Sequence, residues 1–589
     1  MSDRVVAAAI NRRYLANEEK AVRSLAETAR FTSEQSARIA ARASTLVQRV
    51  REGHTDRHGL DAFLRQYDLS SQEGVILMCL AEALLRIPDD ATADKLIADK
   101  IAAGDWASHL GDAESLFVNA STWGLMLTGR IVRPSDSDMR DPRGILARIA
   151  GRIGEPVLRT AFRQAMRIMG HQFVMGRTID EALKRSHEPD HRLYRHSFDM
   201  LGEAALTMRD AERYFDAYRT AIARVAAAYP STQSSPELPS ISVKLSALFP
   251  RYEYTQRDRV IAELAPRLHD LAVFARDSGI ALTVDAEEAD RLEMSLELVE
   301  RVMRSPALAG WDGFGLAVQA YQKRAIDVVR WLRTLAVECR RRLNVRLVKG
   351  AYWDTEIKRA QERGHEGYPV FTRKASTDVS YLACARELFA AQDHIYPQFA
   401  THNAHTVSAV LELAQMTGRP FEFQRLHGMG EELYEQIVGA DKLNVPCRVY
   451  APVGSHEDLL PYLVRRLLEN GANTSFVNRI VDEETSIEEI VRDPVAEIDA
   501  LEHVAHPRIP VPRHLYGDER LNSRGVNLAD PLEWLPLRLH MEQHLHKQWR
   551  AASIVAGETS GGDAFEVRNP ANRRETIGVV RAASVRDVD

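Results

Sequence analysis

From about His196 onward the chain alternates short apolar, β-rich runs with longer stretches of helical period. The runs are Ser197–Gly202, Ile241–Leu248, Ala281–Ala286, Phe314–Gln319, Val345–Gly350, Phe399–His402, Phe421–Leu426 and Arg448–Pro452. Between them, Arg257–Ser278 and Arg324–Leu343 read as amphipathic helices. Such alternation predicts parallel strands joined by right-handed crossovers. Eight units over roughly 280 residues have the size of a (β/α)8 barrel; an open doubly wound sheet is the structural alternative. Before the barrel the pattern is helical. Ser33–Arg51 repeats its apolar residues at helical spacing, Pro88 ends a helix containing Leu84 and Leu85, and Thr92–Leu110 reads as another. After it, a capping box at Ser486–Glu489 opens a helix, and His506–Leu537 reads as an extended linker. The expected divisions are a helical region over 1–132, a linker and helix over 133–190, the barrel over 191–480, a helix and linker over 481–560, and a new element from 561 to 589.

Composition narrows the function classes. The 589 residues are 45% hydrophobic and 27% charged, with net charge −6, so nothing advertises a general affinity for nucleic acid. The longest apolar run, Gly74–Ala81, is too short to span a bilayer, and the N-terminus lacks the apolar region of a signal peptide. Cys79, Cys339, Cys384 and Cys447 lie far apart, which suits a reducing cytosol and argues against a zinc site. P-loop, GxGxxG and GxSxG patterns are absent.

In a barrel of this type chemistry sits at the C-terminal ends of the strands. Polar groups are expected there at Glu203, Lys244, Asp285, Gln319, Arg346 with Lys349, Thr401-His402-Asn403, Gln424 and Tyr450. A merely structural barrel has no need of one at each strand end. The next helix, Asp458–Asn470, carries Tyr462, Arg465, Arg466 and Glu469 on one face. Two adjacent arginines can grip a carboxylate bidentately.

The strings VKLSALFPRY (Val243–Tyr252), TVDAEEADRLE (Thr283–Glu293), GLAVQAYQKR (Gly315–Arg324), RLVKGAYWD (Arg346–Asp354), VFTRKASTD (Val370–Asp378), ATHNAHT (Ala400–Thr406), FEFQRLHGMGE (Phe421–Glu431), RVYAPVG (Arg448–Gly454) and YLVRRLLENGANTSFVN (Tyr462–Asn478) resemble the proline dehydrogenase domain of the bifunctional proline utilization A flavoenzymes. The helical N-terminal region is similar, more loosely, to that family's arm and α-helical domain.

The resemblance implies a distorted (β/α)8 barrel that oxidises L-proline to Δ1-pyrroline-5-carboxylate by hydride transfer to the N5 atom of FAD. It implies that Lys244, Arg465 and Arg466 hold the proline carboxylate and that Asp285, Tyr352, Leu426, Tyr450 and Tyr462 line the substrate pocket. Asp285, Arg346 and Tyr450 are the implied catalytic residues. Glu203 would close the site by pairing with one arginine. For FAD the matching positions are Gln319, Arg346, Val348, Gly350, Ala351, Trp353, Thr372, Arg373, Lys374, Thr401, His402, Asn403, Gln424 and Glu469. No residue declares itself as the base for the proline amine. The family's electron acceptor is a membrane quinone, which implies a cytoplasmic protein with peripheral membrane association; a homo-oligomer is also compatible.

Two departures shape the expectation. The start, MSDRVVAAAINRRYLANEE, looks like the arm without a preceding DNA-binding domain, so no DNA partner is expected. Phe565–Asp589 resembles only the opening of the family's aldehyde dehydrogenase half, so a monofunctional, truncated chain is expected. Three other readings compete: a Schiff-base aldolase using Lys244 or Lys349, which needs a lysine of depressed pKa, a DNA-binding regulator, and a noncatalytic scaffold.

Overall fold

The computed structural model describes residues 9–54, 173–229, 237–391, 393–454, 462, 479–480, 485–517, 519–555, 557–559 and 562–588. Two compact units are present, Met1–Gly525 and Val526–Asp589.

Eight parallel strands close a barrel in the first unit: β1 (Arg195–Met200), β2 (Ser240–Val243), β3 (Ala281–Val284), β4 (Phe314–Gln319), β5 (Leu343–Val348), β6 (Ile395–Ala400), β7 (Glu422–Leu426) and β8 (Cys447–Val453). Each pairs with its sequence neighbour, and β1 pairs with β8 from Arg195↔Arg448 to Met200↔Val453, so no edge remains open. Both faces of β2, β3 and β4 are buried, as expected for strands between a packed interior and covering helices. The barrel expected from alternation is therefore the observed fold.

Several boundaries differ. The run Ile241–Leu248 is not one strand, because β2 stops at Val243 and Leu245–Leu248 forms a helical turn whose N-cap is Lys244. Glu203 lies in the loop beyond β1, not at its end, and β6 starts at Ile395, four residues early. Pro531–Glu542, expected to belong partly to a linker, is a helix. Asp530 caps it by accepting from the Leu532 N–H, and Pro531 sits where its missing donor costs nothing. The helix expected after Ser486 is the single turn Ile487–Ile490, with Ser486 Oγ accepting from the Glu489 N–H. The Thr92–Leu110 and Asp458–Asn470 helices, Pro88 and Cys79 lie outside the described residues.

Two arm helices, Glu18–Ala29 and Ser33–His54, pack on the barrel. Val22, Leu25, Ile39, Leu46 and Val47 form their buried stripe. Polar ties fix the docking: Asn11 to Glu293 (2.8 Å), Tyr14 to Asp290 (2.9 Å) and Arg30 to Asp499 (2.8 Å). In the second unit, Ala564–Asn569 and Asn572–Arg581 form an antiparallel hairpin, and Trp549–Ala552 adds in parallel to its second strand.

Candidate active site

Inward-facing residues recur every second position along a strand. This period brings Ser197 and Asp199 of β1 together with Ser242 of β2, and with Arg346 from β5 across the barrel. Arg346 donates through its two Nη atoms to Asp285 Oδ1 (2.8 Å) and to Ser197 and Ser242 Oγ (3.0 Å each). Lys244 Nζ lies 2.8 and 2.7 Å from the two Asp199 oxygens and 3.2 Å from Asp285 Oδ2. The Tyr450 hydroxyl stands 2.7 Å from Asp199, 2.6 Å from Asp285 and 3.2 Å from Lys244. Its single proton serves one carboxylate at a time, while its oxygen accepts from the ammonium.

Local folding aims Lys244. A capping box of Thr207 and Asp210 starts the helix Met208–Ala228, which buries Tyr218. The Tyr218 hydroxyl accepts from the Lys244 backbone N–H at 3.1 Å, where the strand ladder has ended. Burial opposes charge on Lys244, but Asp199, Tyr450 and Asp285 outweigh it and hold the ammonium well above the usual lysine range. Burial likewise pushes Asp285 up, yet Lys244 and Arg346 bring it below the usual carboxylate range. For Asp199 burial prevails over Lys244, and its carboxyl is raised. Burial, with Asp199 and Asp285 alongside, keeps the Tyr450 phenol protonated. A Schiff-base lysine needs the opposite shift from that of Lys244. Lys349, the other aldolase candidate, is ion-paired with Asp378.

Leu426, Tyr450 and Tyr462 meet in one apolar cluster with Phe173, Leu201 and Met429, so three expected pocket residues converge. Tyr352 and Glu203 are half-buried in the loops after β5 and β1. Arg465, Arg466 and Glu469 lie outside the described residues. Asp199, Ser197, Ser242 and Tyr218 were not anticipated. Asp199 had a readable signal, a carboxylate sharing the parity of Ser197 two residues along the same strand.

The positions expected to serve a cofactor occupy the adjacent strands β4 to β7 and their loops. Gln319 bridges the Glu287 carbonyl (2.7 Å) and the Ala351 N–H (3.4 Å). Val348 ends β5, and Gly350 follows with φ of 136°. A Cβ there would meet the Tyr321 ring at 2.5 Å, so only glycine fits. Trp353 Nε1 donates to the Phe371 carbonyl (2.8 Å), tying the β5 loop to the turn carrying Thr372, Arg373 and Lys374. Arg373 Nε donates to the Val504 carbonyl at 2.8 Å. Thr401 Oγ1 accepts from the Asn403 N–H, Asn403 caps the helix Ala404–Thr417, and His402 Nε2 accepts from the Leu426 N–H. Gln424 spends its amide N–H on Glu422 (3.0 Å). Its Oε1 is buried without a partner, as is Arg346 Nε. An acceptor and a donor left open at one mouth fit a large polar cofactor. Among the described residues no group of three or more His, Cys, Asp or Glu could hold a metal ion.

Comparison with known proteins places the chain. A family model described as "Proline dehydrogenase" matches residues 182–479, just over half of the chain. One described as "Proline utilization A proline dehydrogenase N-terminal domain" matches 6–51, over the arm. A third, described as "DNA-binding domain of Proline dehydrogenase", matches 59–173 and weighs against the expected absence of a DNA partner. The chain is similar to the bifunctional protein PutA of Escherichia coli (strain K12), 50% identical over 99% of this chain and 45% of the relative. It is also similar to proline dehydrogenase 1 of Bacillus subtilis, 26% identical over 53% of this chain and 90% of the relative. A crystal structure of a Bradyrhizobium japonicum proline utilization A mutant superposes with a TM-score of 0.70 at 47% identity, covering 92% of this chain and 53% of that one. The chain thus spans about half the length of the bifunctional relatives it matches. Barrel, mouth and family matches agree: the chain belongs to the proline dehydrogenase family.

Proposed function

We propose that this barrel oxidises L-proline to Δ1-pyrroline-5-carboxylate with bound FAD and passes the electrons to a quinone at the membrane periphery. Support comes above all from the buried Lys244–Asp199–Asp285–Tyr450–Arg346 cluster at the mouth of a proline dehydrogenase barrel. When bound, FAD supplies the hydride acceptor and the electron carrier.

The chain's own groups bind and orient. The cluster holds two carboxylates and two cations, so it is neutral by itself. A substrate carboxylate adds a negative charge that needs further cations. Arg465 and Arg466 supply them, and Lys244 completes the grip. Fixing the carboxylate and packing Leu426, Tyr352, Tyr450 and Tyr462 around the ring turn encounter into a near-attack geometry. Asp285 holds both Lys244 and Arg346, and so sets where their charges point. Glu203 pairs with one of the arginines to close the entrance. Gln319, Arg346, Val348, Gly350, Ala351, Trp353, Thr372, Arg373, Lys374, Thr401, His402, Asn403, Gln424 and Glu469 would hold FAD, and the Arg346 guanidinium would supply positive charge to it. Among the described residues no helix is long and apolar enough to cross a membrane.

A dye-linked assay tests the reading. Purified protein with FAD is expected to reduce the dye when L-proline is added; absence of proline-dependent reduction would sink it.

A further inference from the structure

Glu18 opens an arm helix, where a carboxylate ordinarily favours its own helix from solvent. Here it is buried instead. Asn17 caps the helix, accepting from the Lys20 N–H, and leaves the Glu18 side chain to do something else. Its Oε1 accepts from the Thr372 N–H (2.7 Å) and from the Thr372 hydroxyl (2.9 Å), 354 residues away in sequence.

Thr372 and Arg373 form the turn before the helix Lys374–Ala390. The segment after the barrel holds the same turn from the other side. The His506 N–H donates to Thr372 Oγ1 (2.8 Å), and Arg373 Nε donates to the Val504 carbonyl (2.8 Å). The Val504 N–H in turn donates to Glu19 Oε2 (2.8 Å), which closes a loop of bonds back to the arm. All of these bonds come from outside the barrel. The barrel's own ties end one residue earlier, at Phe371, whose N–H donates to the Tyr321 carbonyl and whose carbonyl accepts from Trp353. Arg373 is the N-cap residue but makes no side-chain capping bond, so the outside partners hold Thr372 and the Arg373 side chain. Without Glu18, the buried Thr372 N–H and hydroxyl lose their acceptor, a state that folded chains avoid.

We propose that Glu18 is a positioning residue for the cofactor: from the arm it fixes the Thr372–Arg373 turn and so sets how tightly the barrel holds FAD. This rests on the reading above that the turn contacts FAD.

The test follows release of flavin from diluted holoprotein by the rise of free-flavin fluorescence, giving an FAD dissociation constant. Glu18→Ala is expected to weaken binding at least tenfold. Glu18→Gln keeps an oxygen able to accept both bonds and is expected to stay within about threefold of the parent. Arg30→Ala breaks the arm's tie to Asp499 without touching the turn, and is expected to leave FAD affinity unchanged. The KM for proline at saturating FAD is expected to hold in all three. Parent-like affinity in Glu18→Ala, or an equal loss in Arg30→Ala, overturns the inference. Should Glu18→Ala fail to fold, Glu18→Asp retracts the carboxylate by one methylene; a loss of threefold or more supports the inference and unchanged affinity overturns it. A parent protein that binds no FAD overturns the functional reading itself, a separate outcome.

Discussion

Across β8, β1, β2 and β3 the mouth of the barrel is held by side chains that neutralise one another: Tyr450, Asp199, Lys244 and Asp285 bond mutually with little water around them. Across β4 to β7, Gln319, Trp353, Arg373 and His402, four of the positions expected to serve the cofactor, bond to backbone. The first arc is a balanced set of charges in which each member depends on the others. The second is a frame that shapes loops and leaves Gln424 Oε1 without a partner. Removing one group should therefore be costly on the first arc and graded on the second.

The sharpest break is Lys244→Met. It takes the ammonium from the buried carboxylates Asp199 and Asp285, leaving Arg346 on Asp285 and the Tyr450 hydroxyl as their remaining partners, and removing one partner of a buried pair costs about 3–5 kcal/mol of stability. The expected outcome is a loss of about 100-fold in kcat/KM for proline, since Lys244 also grips the substrate carboxylate, a charged hydrogen bond contributes about 1.5–3 kcal/mol and ~1.4 kcal/mol is tenfold, with FAD still bound. Steady-state kinetics beside an absorbance spectrum check both halves. Equal loss of FAD would erase the distinction between the arcs.

Glu356 joins the arcs. It lies on the helix after the β5 loop and accepts from the Ala289 N–H beyond β3 at 2.7 Å. Burial lifts its carboxyl to about 7. For an acid raised in the folded state, the protonated form is the one folding favours. Stability is therefore expected to fall as pH rises from about 4.5 towards 7, by at most roughly 3 kcal/mol given ~1.4 kcal/mol per pKa unit. Urea melts across that window should show the slope in the parent and a shallower one in Glu356→Gln, the remainder coming from other buried carboxyls such as Asp199 and Glu287.

Arg465→Met or Arg466→Met is expected to raise the KM for proline roughly tenfold, since hydrogen bonds to charged groups contribute about 1.5–3 kcal/mol. An unchanged KM would put the carboxylate grip on the first arc alone. The smallest expected effect concerns DNA. Residues 59–173 match a model described as DNA-binding, yet they carry 13 basic and 15 acidic residues. No salt-sensitive gel shift is expected, because binding to duplex rests on phosphate neutralisation; a specific shift would reverse this.

The barrel was legible because parallel strands buried on both faces read as apolar runs, and the helices between them keep their own period. Strand ends were less legible. Lys244 looks like a strand residue because its neighbours are apolar, whereas its backbone N–H leaves the ladder and donates to the Tyr218 hydroxyl of the helix that precedes β2. Asp199 is hard to read because the strand-end carboxylate in the sequence pattern is Glu203, three residues beyond the end of β1 at Met200. Proline and arginine masked the helix Pro531–Glu542, although Asp530-Pro531 is a helix-start signal. The Glu18 bond to Thr372 could not be read locally, since it spans most of the barrel's sequence.

The central claim is that the two arcs bring proline and FAD together for electron transfer. An absorbance spectrum of the purified protein under anaerobic conditions, before and after L-proline, tests it most directly. The account expects a flavin band that bleaches on adding proline. Absence of the band, or a band that proline leaves unchanged, would contradict it.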